Sequence, residues 1–295
     1  MARPGTPPII GILGGSGVYE IDGLENARWK AVETPFGAPS DELLFGELEG
    51  QQLVFLPRHG RGHKISPTEL NFRANIDALK RSGVTEIISV SAVGSLHADL
   101  VPGMFVIVGQ FIDHTRVRAR TFFEKGLVAH VSMADPVCKR LGDSLEHAAR
   151  LLSLNVRRGG TCIVIEGPQF STRAESERYR AMGCDVIGMT NMPEAKLARE
   201  AEMCYATVAM ITDYDCWHPQ HDDVTVESII NTLSENAENA RSLIRNVAGA
   251  LRERHESCSA GCHTALDAAV ITAPDARDPK AVRKLSAVAG RVLNG

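Results

Sequence analysis

Short apolar runs along the chain alternate with longer segments in which apolar residues recur every three or four positions. The short runs are rich in β-branched residues and predict buried strands, whereas the periodic segments predict helices with one apolar face. The predicted strands span 9–13, 53–56, 86–91, 105–108, 162–165, 185–187 and 206–212. The predicted helices span 67–81, 136–152, 173–182, 193–203 and 224–254. This alternation indicates an α/β protein.

The helix predicted at 224–254 has the clearest pattern. Its apolar positions form one stripe at helical spacing: Val226, Ile229, Ile230, Leu233, Ala240, Leu243, Ile244, Val247 and Leu251. No low-complexity linker or internal repeat divides the chain, so we expect a single domain over 1–295 with its core at about 9–254. The extension at 255–295 begins with small and polar residues and predicts a short terminal helix at 280–293.

Composition limits the classes of partner. Hydrophobic residues make up 44% of the 295 positions, which is enough for a substantial core, while the net charge is -4 and aromatic residues make up 5%. Proteins that bind nucleic acid usually present clustered basic residues and stacking aromatics. The N-terminus shows no signal-peptide pattern, and no apolar run approaches the ~20 residues that span a bilayer. We therefore expect a cytoplasmic protein with no nucleic-acid partner and no membrane association.

The seven cysteines are an odd number and are scattered from Cys138 to Cys262. This spacing does not indicate the disulfide framework of a secreted protein, so reduced thiols are expected. Only Cys258, Cys262 and His263 lie close together in sequence. A metal site and a local disulfide are both open interpretations of this short group.

Two carboxylates, Asp213 and Asp215, follow the strand predicted at 206–212. In an extended segment, residues two positions apart point to the same side, so both aspartates could face one ligand. Such a pair suits a heterocycle, because one acid can protonate a ring nitrogen while the other accepts from an exocyclic amine such as the 6-amino group of adenine. The alternative interpretation is a pair of aspartates that cap a helix or form a loop.

Polar segments follow four other strands. A glycine-rich turn at 11–17 follows the first, but it lacks the glycine spacing of a dinucleotide site and the Gly-Lys-Ser/Thr end of a triphosphate loop. Arg58 and His59 follow the second strand, Ser91 lies at the end of the third, and Thr190 follows the strand at 185–187. Hydroxyls, backbone amides and a guanidinium fork together favour a phosphate site. Tight structural turns and a solvated basic loop are the alternatives.

Taken together, these segments resemble the 5'-methylthioadenosine phosphorylases of the purine nucleoside phosphorylase family. The resemblance runs from about residue 9 to 250 and rests on ordered motifs at 11–17, 58–63, 91–96, 110–113, 166–173, 189–194 and 212–217. It implies a mixed, twisted central β-sheet flanked by helices. It also implies a homotrimer or a dimer of trimers with active sites at subunit interfaces.

The resemblance assigns roles to individual residues. It implies phosphate contacts from Ser16, Arg58, His59, Ser91, Ala92 and Thr190. It implies nucleoside contacts from Met189 against the ribosyl group, from Asp213 and Asp215 at the base, and from Phe170. It implies that Ser171 favours adenine and that Val226 makes room for an apolar 5'-substituent. It also implies that His130 contacts the nucleoside from a neighbouring subunit. A further contact expected from the C-terminal helix is unassigned, with Leu293 as the candidate.

The implied reaction is reversible phosphorolysis of methylthioadenosine to adenine and 5-methylthioribose 1-phosphate. The resemblance implies no cofactor and no metal for this reaction, with inorganic phosphate as a co-substrate. We expect Asp213 to share a proton with N7 and Asp215 to orient the 6-amino group, although the two roles are exchangeable. The alternatives are a methylthioinosine or broader purine nucleoside phosphorylase, a nucleosidase that uses water, and a purine-binding protein without catalysis.

Overall fold

One mixed β-sheet contains all eleven strands of the described chain. The structure, a computed structural model, describes residues 7–15, 17–219, 226–252 and 258–294, without the side chains of 226–231, 233 and 235. The strands are β1 Ile10–Gly14, β2 Glu25–Lys30, β3 Leu43–Leu48, β4 Gln51–Pro57, β5 Glu86–Ser95, β6 Phe105–Ile107, β7 Gln110–His114, β8 Val156–Arg158, β9 Thr161–Ile165, β10 Val186–Gly188 and β11 Cys204–Asp213. The helices are α1 Phe72–Arg81, α2 Lys139–Leu151, α3 Arg173–Ala181, α4 Asn191–Glu200, α5 Val226–Arg252, α6 Pro279–Lys284 and α7 Ser286–Leu293.

The sheet is organised around the long strand β5. Neighbouring strands pair in the order β2-β3-β4-β1-β5-β10-β9-β7. β11 pairs with the other edge of β5, β6 pairs with β11, and β8 pairs with β6. β1 and β11 run parallel to β5, whereas β10 runs antiparallel to it. The sheet is therefore mixed, as the family resemblance implied.

Helices cover both faces of this sheet. Alternate residues of β5 belong to two different cores, with Ile87 in one and Ile88 in the other. The first core also contains residues of α1, α4 and α7, whereas the second contains residues of α2 and α5. This arrangement explains why the central strands are apolar at successive positions.

All seven predicted strands and all five long predicted helices are present, with shifted ends. The apolar stripe of α5 is buried over its second half, at Ala240, Leu243, Ile244, Val247 and Leu251. The helix predicted at 280–293 is instead two helices, α6 and α7, which meet at Leu285. Strands β2, β3, β7 and β8 were not predicted. Among the described residues, no helix is both long enough and apolar enough to cross a bilayer.

Candidate active site

The carboxyl ends of four parallel strands meet at one edge of the sheet. β4 pairs in parallel with β1, and both β1 and β11 pair in parallel with β5. Residues that follow these strands are therefore neighbours in space although they are far apart in sequence. Arg58 directly follows β4, and Asp213 is the last residue of β11. The candidate site lies at this edge.

β5 has a short interval that neither β1 nor β10 covers. β1 pairs as far as Ser89, whereas β10 pairs only at Gly94 and beyond. Ala92 lies in this interval and is exposed, although its neighbours Ser91 and Val93 are buried. An exposed residue in a central strand indicates that solvent reaches the strand at this point. The predicted phosphate ligands Ser91 and Ala92 therefore lie at an opening in the sheet.

Two hydroxyl groups meet at this opening. The Ser91 Oγ and Thr190 Oγ1 atoms are 3.1 Å apart, and both residues are buried. The direction of β10 explains the contact, because the chain that leaves an antiparallel β10 runs back along β5 toward Ser91. The structure thus brings together two residues that the sequence predicted to share one ligand.

Arg58 is buried rather than part of a solvated basic loop. Only 1% of its surface is exposed, and its Nε donates to Glu194 Oε2 at 2.9 Å. Nη2 donates to Ser89 Oγ at 2.7 Å and to the Leu13 carbonyl at 3.1 Å, while Nη1 donates to the Val90 carbonyl at 3.0 Å. These bonds fix the guanidinium beneath β5 and use one of the two Nη1 protons.

A buried polar network lies around this arginine, and no sequence motif predicted it. Asn191 Nδ2 donates to Ser89 Oγ and to Tyr205 Oη, each at 3.1 Å. Tyr205 in turn donates to Glu194 Oε1 at 2.8 Å. The available signal was the presence of polar residues such as Ser89, Tyr205 and Thr207 inside otherwise apolar strands.

His59 is held as a neutral imidazole. Its Nδ1 lies 2.9 Å from the Ile65 carbonyl oxygen, and its ring stacks on His63 with centroids 4.2 Å apart. Burial and the positive charge of Arg58 lower the pKa of His59 to about 4. Because a carbonyl can only accept, Nδ1 carries the proton and Nε2 presents a lone pair.

Asp213 and Asp215 lie at the end of β11 in different environments. Asp213 Oδ2 accepts from the Thr212 hydroxyl, and Oδ1 accepts from the Asp215 N–H, both at 2.7 Å. Asp215 is buried; the Ser176 hydroxyl interacts with its carboxylate, and its Oδ2 has no hydrogen-bond partner of ordinary geometry among the described residues. The alternation expected of an extended segment does not reach Asp215, because β11 ends at Asp213 and Asp215 has a φ of 53°. A turn therefore places the second carboxylate.

Burial raises the pKa of both carboxyl groups above the ordinary value of an aspartate. Each acid is therefore easier to protonate than a solvated one, as leaving-group activation requires. Gly94 packs against the pair, since a Cβ at this position would lie 2.9 Å from Asp213 Oδ1. The site requires glycine here to leave room for the carboxylate.

The segment between β9 and α3 brings Phe170 and Ser171 to this region. Phe170 is 47% exposed, and the Ser171 carbonyl accepts from Cys216 Sγ at 3.3 Å. This bond places Ser171 beside the turn that contains Asp215. The Ser171 hydroxyl oxygen is buried and has no hydrogen-bond partner in the described part of the chain. The predicted selectivity residue therefore lies next to the predicted base-binding turn.

Arg118 positions the segment that carries Met189. Its Nη1 donates to the Met189 carbonyl at 2.7 Å, and its Nε donates to Glu166 Oε1 at 2.8 Å. Met189 itself packs against the apolar cluster that contains Ile187. Arg118 was not predicted as a site residue, because the run from Arg116 to Arg120 shows no pattern that separates a buried arginine from solvated ones.

Three predicted site residues are not placed at this site. His130 is exposed, and its backbone N–H donates to the Ala269 carbonyl at 2.9 Å. Ser16 and the side chain of Val226 lie outside the described residues. The glycine turn beside Ser16 is tied to α5, because Arg241 Nη1 donates to the Gly17 carbonyl at 2.6 Å.

Comparison with known sequences identifies the family. The chain matches the phosphorylase superfamily over residues 9–249. It is 62% identical over 286 residues to the S-methyl-5'-thioadenosine phosphorylase of Rhodospirillum rubrum, and the match covers 97% of each chain. It is 55% identical over 290 residues to the enzyme of the same name from Bradyrhizobium diazoefficiens, with coverage of 98% of this chain and 100% of that one.

Solved structures show the same relationship. The fold is similar to that of a methylthioadenosine phosphorylase from an Antarctic soil metagenomic library, with a TM-score of 0.90, 47% identity and coverage of 96% of this chain and 99% of that one. It is also similar to the methylthioadenosine phosphorylase of Schistosoma mansoni in complex with adenine, with a TM-score of 0.82, 36% identity and coverage of 88% and 99%. Sequence and fold together show that the chain belongs to the phosphorylase superfamily and, within it, to the S-methyl-5'-thioadenosine phosphorylases.

Proposed function

We propose that this protein catalyses the reversible phosphorolysis of methylthioadenosine, which yields adenine and 5-methylthioribose 1-phosphate. The observation that carries the proposal is the Asp215 carboxylate beside Asp213, a buried acceptor whose Oδ2 receives no hydrogen bond of ordinary geometry from the described residues. A buried acceptor without a partner is costly unless a ligand completes it. The 6-amino group of adenine supplies the missing donor.

The phosphate half of the site is proposed at the opening of β5. The Ser91 and Thr190 hydroxyls can donate to phosphate oxygens, and the Ala92 N–H lies on the same interval of strand. Hydrogen bonds hold the Arg58 guanidinium in place and leave its second Nη1 proton for a phosphate oxygen. The neutral His59 can accept, through Nε2, the hydrogen of a monoprotonated phosphate. Ser16 joins this set by the family resemblance alone.

The leaving-group half is proposed at the end of β11. Asp213 shares a proton with N7 of the purine, and Asp215 accepts from the 6-amino group. The raised pKa of Asp213 favours the protonated form that this step needs. Met189 lies against the ribosyl group, with Phe170 and Ser171 around the base. As the glycosidic bond stretches, the ribosyl carbon becomes positively charged, and the phosphate anion both stabilises that charge and captures the carbon.

The other candidate reactions fit this site less well. Hypoxanthine and guanine carry a 6-oxo acceptor, which would face the Asp215 carboxylate without a proton between them. A methylthioinosine or broader purine nucleoside phosphorylase is therefore disfavoured. A nucleosidase has no use for the grouped hydroxyls of Ser91 and Thr190 beside a buried arginine. The proposed chemistry requires no cofactor and no metal.

We further propose that the chain forms one domain and assembles as a trimer or a dimer of trimers. α7 packs on α1 in the same core as the sheet, which favours one domain over a separate C-terminal unit. His130 is exposed on a segment that pairs with the C-terminal region through Ala129 and Val270, and it is available to a neighbouring subunit. Size-exclusion chromatography with light scattering tests the assembly.

The decisive measurement is adenine release from methylthioadenosine with and without inorganic phosphate. The proposal predicts release that depends on phosphate and the appearance of 5-methylthioribose 1-phosphate. Parallel reactions with methylthioinosine and adenosine rank base and 5'-group selectivity. Phosphate-independent release would identify a nucleosidase, and binding without turnover would identify a purine-binding protein.

A further inference from the structure

Four cysteines that are distant in sequence meet in the structure. Cys138, Cys204, Cys258 and Cys262 are all buried, and their Sγ atoms all lie within 4.8 Å of one another. We refer to these four residues as the cysteine cluster. The sequence indicated only its last two members, for which a metal site and a local disulfide were both open.

Each member is held by a different part of the fold. Cys138 directly precedes α2, Cys204 begins β11, and Cys258 and Cys262 lie in the segment after α5. The Cys138 N–H donates to the Tyr205 carbonyl at 2.7 Å, which fixes the first two members side by side. The cluster therefore joins the C-terminal segment to the sheet and to α2.

The sulfur geometry fits one tetrahedral ion. Four sulfurs bound tetrahedrally at ~2.3 Å from zinc lie about 3.8 Å apart. The distance between Cys138 Sγ and Cys258 Sγ is 3.5 Å, and none of the six pairs exceeds 4.8 Å. A disulfide requires about 2.05 Å between bonded sulfurs, and all seven cysteines are free thiols in the structure. The arrangement is therefore that of converging ligands rather than of two bonded pairs.

The charges around the cluster fit thiolate ligands. Arg140 Nη2 donates to Cys204 Sγ at 3.2 Å, and Arg199 Nη1 lies 3.4 Å from Cys262 Sγ. Four thiolates and one divalent ion carry two net negative charges, and the two guanidinium groups offset them in part, because Arg140 also pairs with Glu86. Arg140 is buried, and its Nε and Nη1 atoms have no hydrogen-bond partner among the described residues. Its Nη2 pairs with the buried Glu86 carboxylate as well as with Cys204 Sγ, so this guanidinium lies between a carboxylate and the cluster.

We propose that the cysteine cluster binds one Zn²⁺ as a closed structural site. Binding deprotonates the thiols and releases their protons to solvent, with no change of oxidation state. The site plays no part in the reaction, because Cys204 and Asp213 lie at opposite ends of β11. Nine residue steps of ~3.3 Å separate them by about 30 Å. Its role is to anchor the C-terminal segment.

Metal analysis together with a thiol count tests this proposal. The full chain is produced in zinc-supplemented medium and freed of loosely bound metal by a brief exposure to EDTA. Elemental analysis by mass spectrometry is expected to find one zinc per chain. Unfolding in EDTA without reductant is expected to expose all seven thiols. Fewer than seven thiols together with absent zinc would show disulfides, and seven thiols without zinc would show an empty cluster. Either result overturns the proposal. Iron in place of zinc also overturns it.

A matched pair of variants locates the ion. Cys258→Ser is expected to lose most of the zinc and to lower the Tm by ~5 °C or more, whereas Cys184→Ser, a buried cysteine outside the cluster, is expected to keep the zinc. Zinc that persists in Cys258→Ser would place the ion elsewhere. If that variant does not fold, replacing zinc by cobalt in the unaltered protein is the second test. Thiolate-to-cobalt charge-transfer bands with tetrahedral d–d bands support the site, and an octahedral spectrum overturns it.

Discussion

Arg58 and Glu194 form an ion pair inside the protein, with Arg58 Nε 2.9 Å from Glu194 Oε2 and both side chains only 2% exposed. The two residues are separated by 136 positions in sequence. Glu194 also accepts from Ser89 and Tyr205, so its carboxylate is fully engaged. The pair fixes a guanidinium beneath the opening where we place phosphate.

Removing the Glu194 carboxylate is expected to lower the free energy of unfolding. Glu194→Ala leaves the buried Arg58 charge without a counterion and is predicted to cost about 3–5 kcal/mol of unfolding free energy. Denaturant titration at fixed chain concentration measures the loss. The control is Glu146→Ala, which breaks a more exposed pair with Arg150 on α2 and a 3.9 Å pair with Arg158, and should cost under ~1 kcal/mol. Similar losses in the two variants would contradict the buried role of Glu194.

The lowered pKa of His59 predicts how the stability of the protein depends on pH. Its pKa is about 4 in the folded chain against an ordinary value of 6.5, so the unfolded state binds the proton more tightly. Stability should therefore fall as the pH drops from 6.5 toward 4, by about 3 kcal/mol for this group. His59→Gln is expected to lose less stability over that interval than the unaltered protein. The exposed His147→Gln serves as control and should follow the unaltered protein; identical curves for all three would refute the prediction.

Asp213 is predicted to act on the leaving group. Asp213→Asn keeps the shape of the side chain but cannot share its proton with N7, so kcat should fall by ~10²–10⁴. Circular dichroism and Tm should change little, because an amide oxygen can still accept from the Asp215 N–H. Retention of full activity would remove Asp213 from the proposed mechanism.

Asp215 is predicted to select the base. Asp215→Asn replaces one acceptor by an amide that can also donate, so it removes the repulsion of a 6-oxo purine. The ratio of kcat/KM for methylthioinosine to that for methylthioadenosine should rise ~10-fold or more. The Asp213→Asn variant is the natural comparison. A change of ratio in Asp213→Asn and none in Asp215→Asn would show that the two roles are exchanged.

The central fold was predictable because its strands are buried on both faces. Such strands are apolar at successive positions and stand out against helical periodicity. The missed strands lack this pattern: β2 reads Glu-Asn-Ala-Arg-Trp-Lys and is largely exposed at the edge of the sheet. Its formation depends on pairing with β3, which local sequence does not encode.

The site was predictable only as far as its residues follow strands in recognisable motifs. Arg58 follows β4, Asp213 is the last residue of β11, and Ser91 ends the strand predicted at 86–91 although β5 continues to Ser95. Glu194 stood inside a recognised motif, yet its pairing with Arg58 across 136 positions could not be inferred without the topology. The same limitation hid Cys138 and Cys204 from the pair at Cys258 and Cys262, because only the folded chain brings their sulfurs together.

Gly94 tests the geometry of the base site without touching a charged group. A methyl group at Gly94 would lie 2.9 Å from Asp213 Oδ1 and 3.1 Å from Ile187 Cγ2, so Gly94→Ala must displace the carboxylate or the strand. Misplacement of a catalytic group by about 1 Å can cost ~10²-fold, and we expect kcat/KM for methylthioadenosine to fall by ~10–10².

The matched control for Gly94→Ala is Gly249→Ala on α5, where the nearest atom beyond the helix lies 3.8 Å from the added methyl. Alanine has the higher helix propensity, so this variant should gain up to ~1 kcal/mol of stability and keep its activity. Steady-state kinetics and thermal unfolding of both variants separate catalysis from stability. If Gly94→Ala retains full kcat/KM, the carboxylate of Asp213 is not constrained as the structure indicates, and its assignment to N7 must be given up.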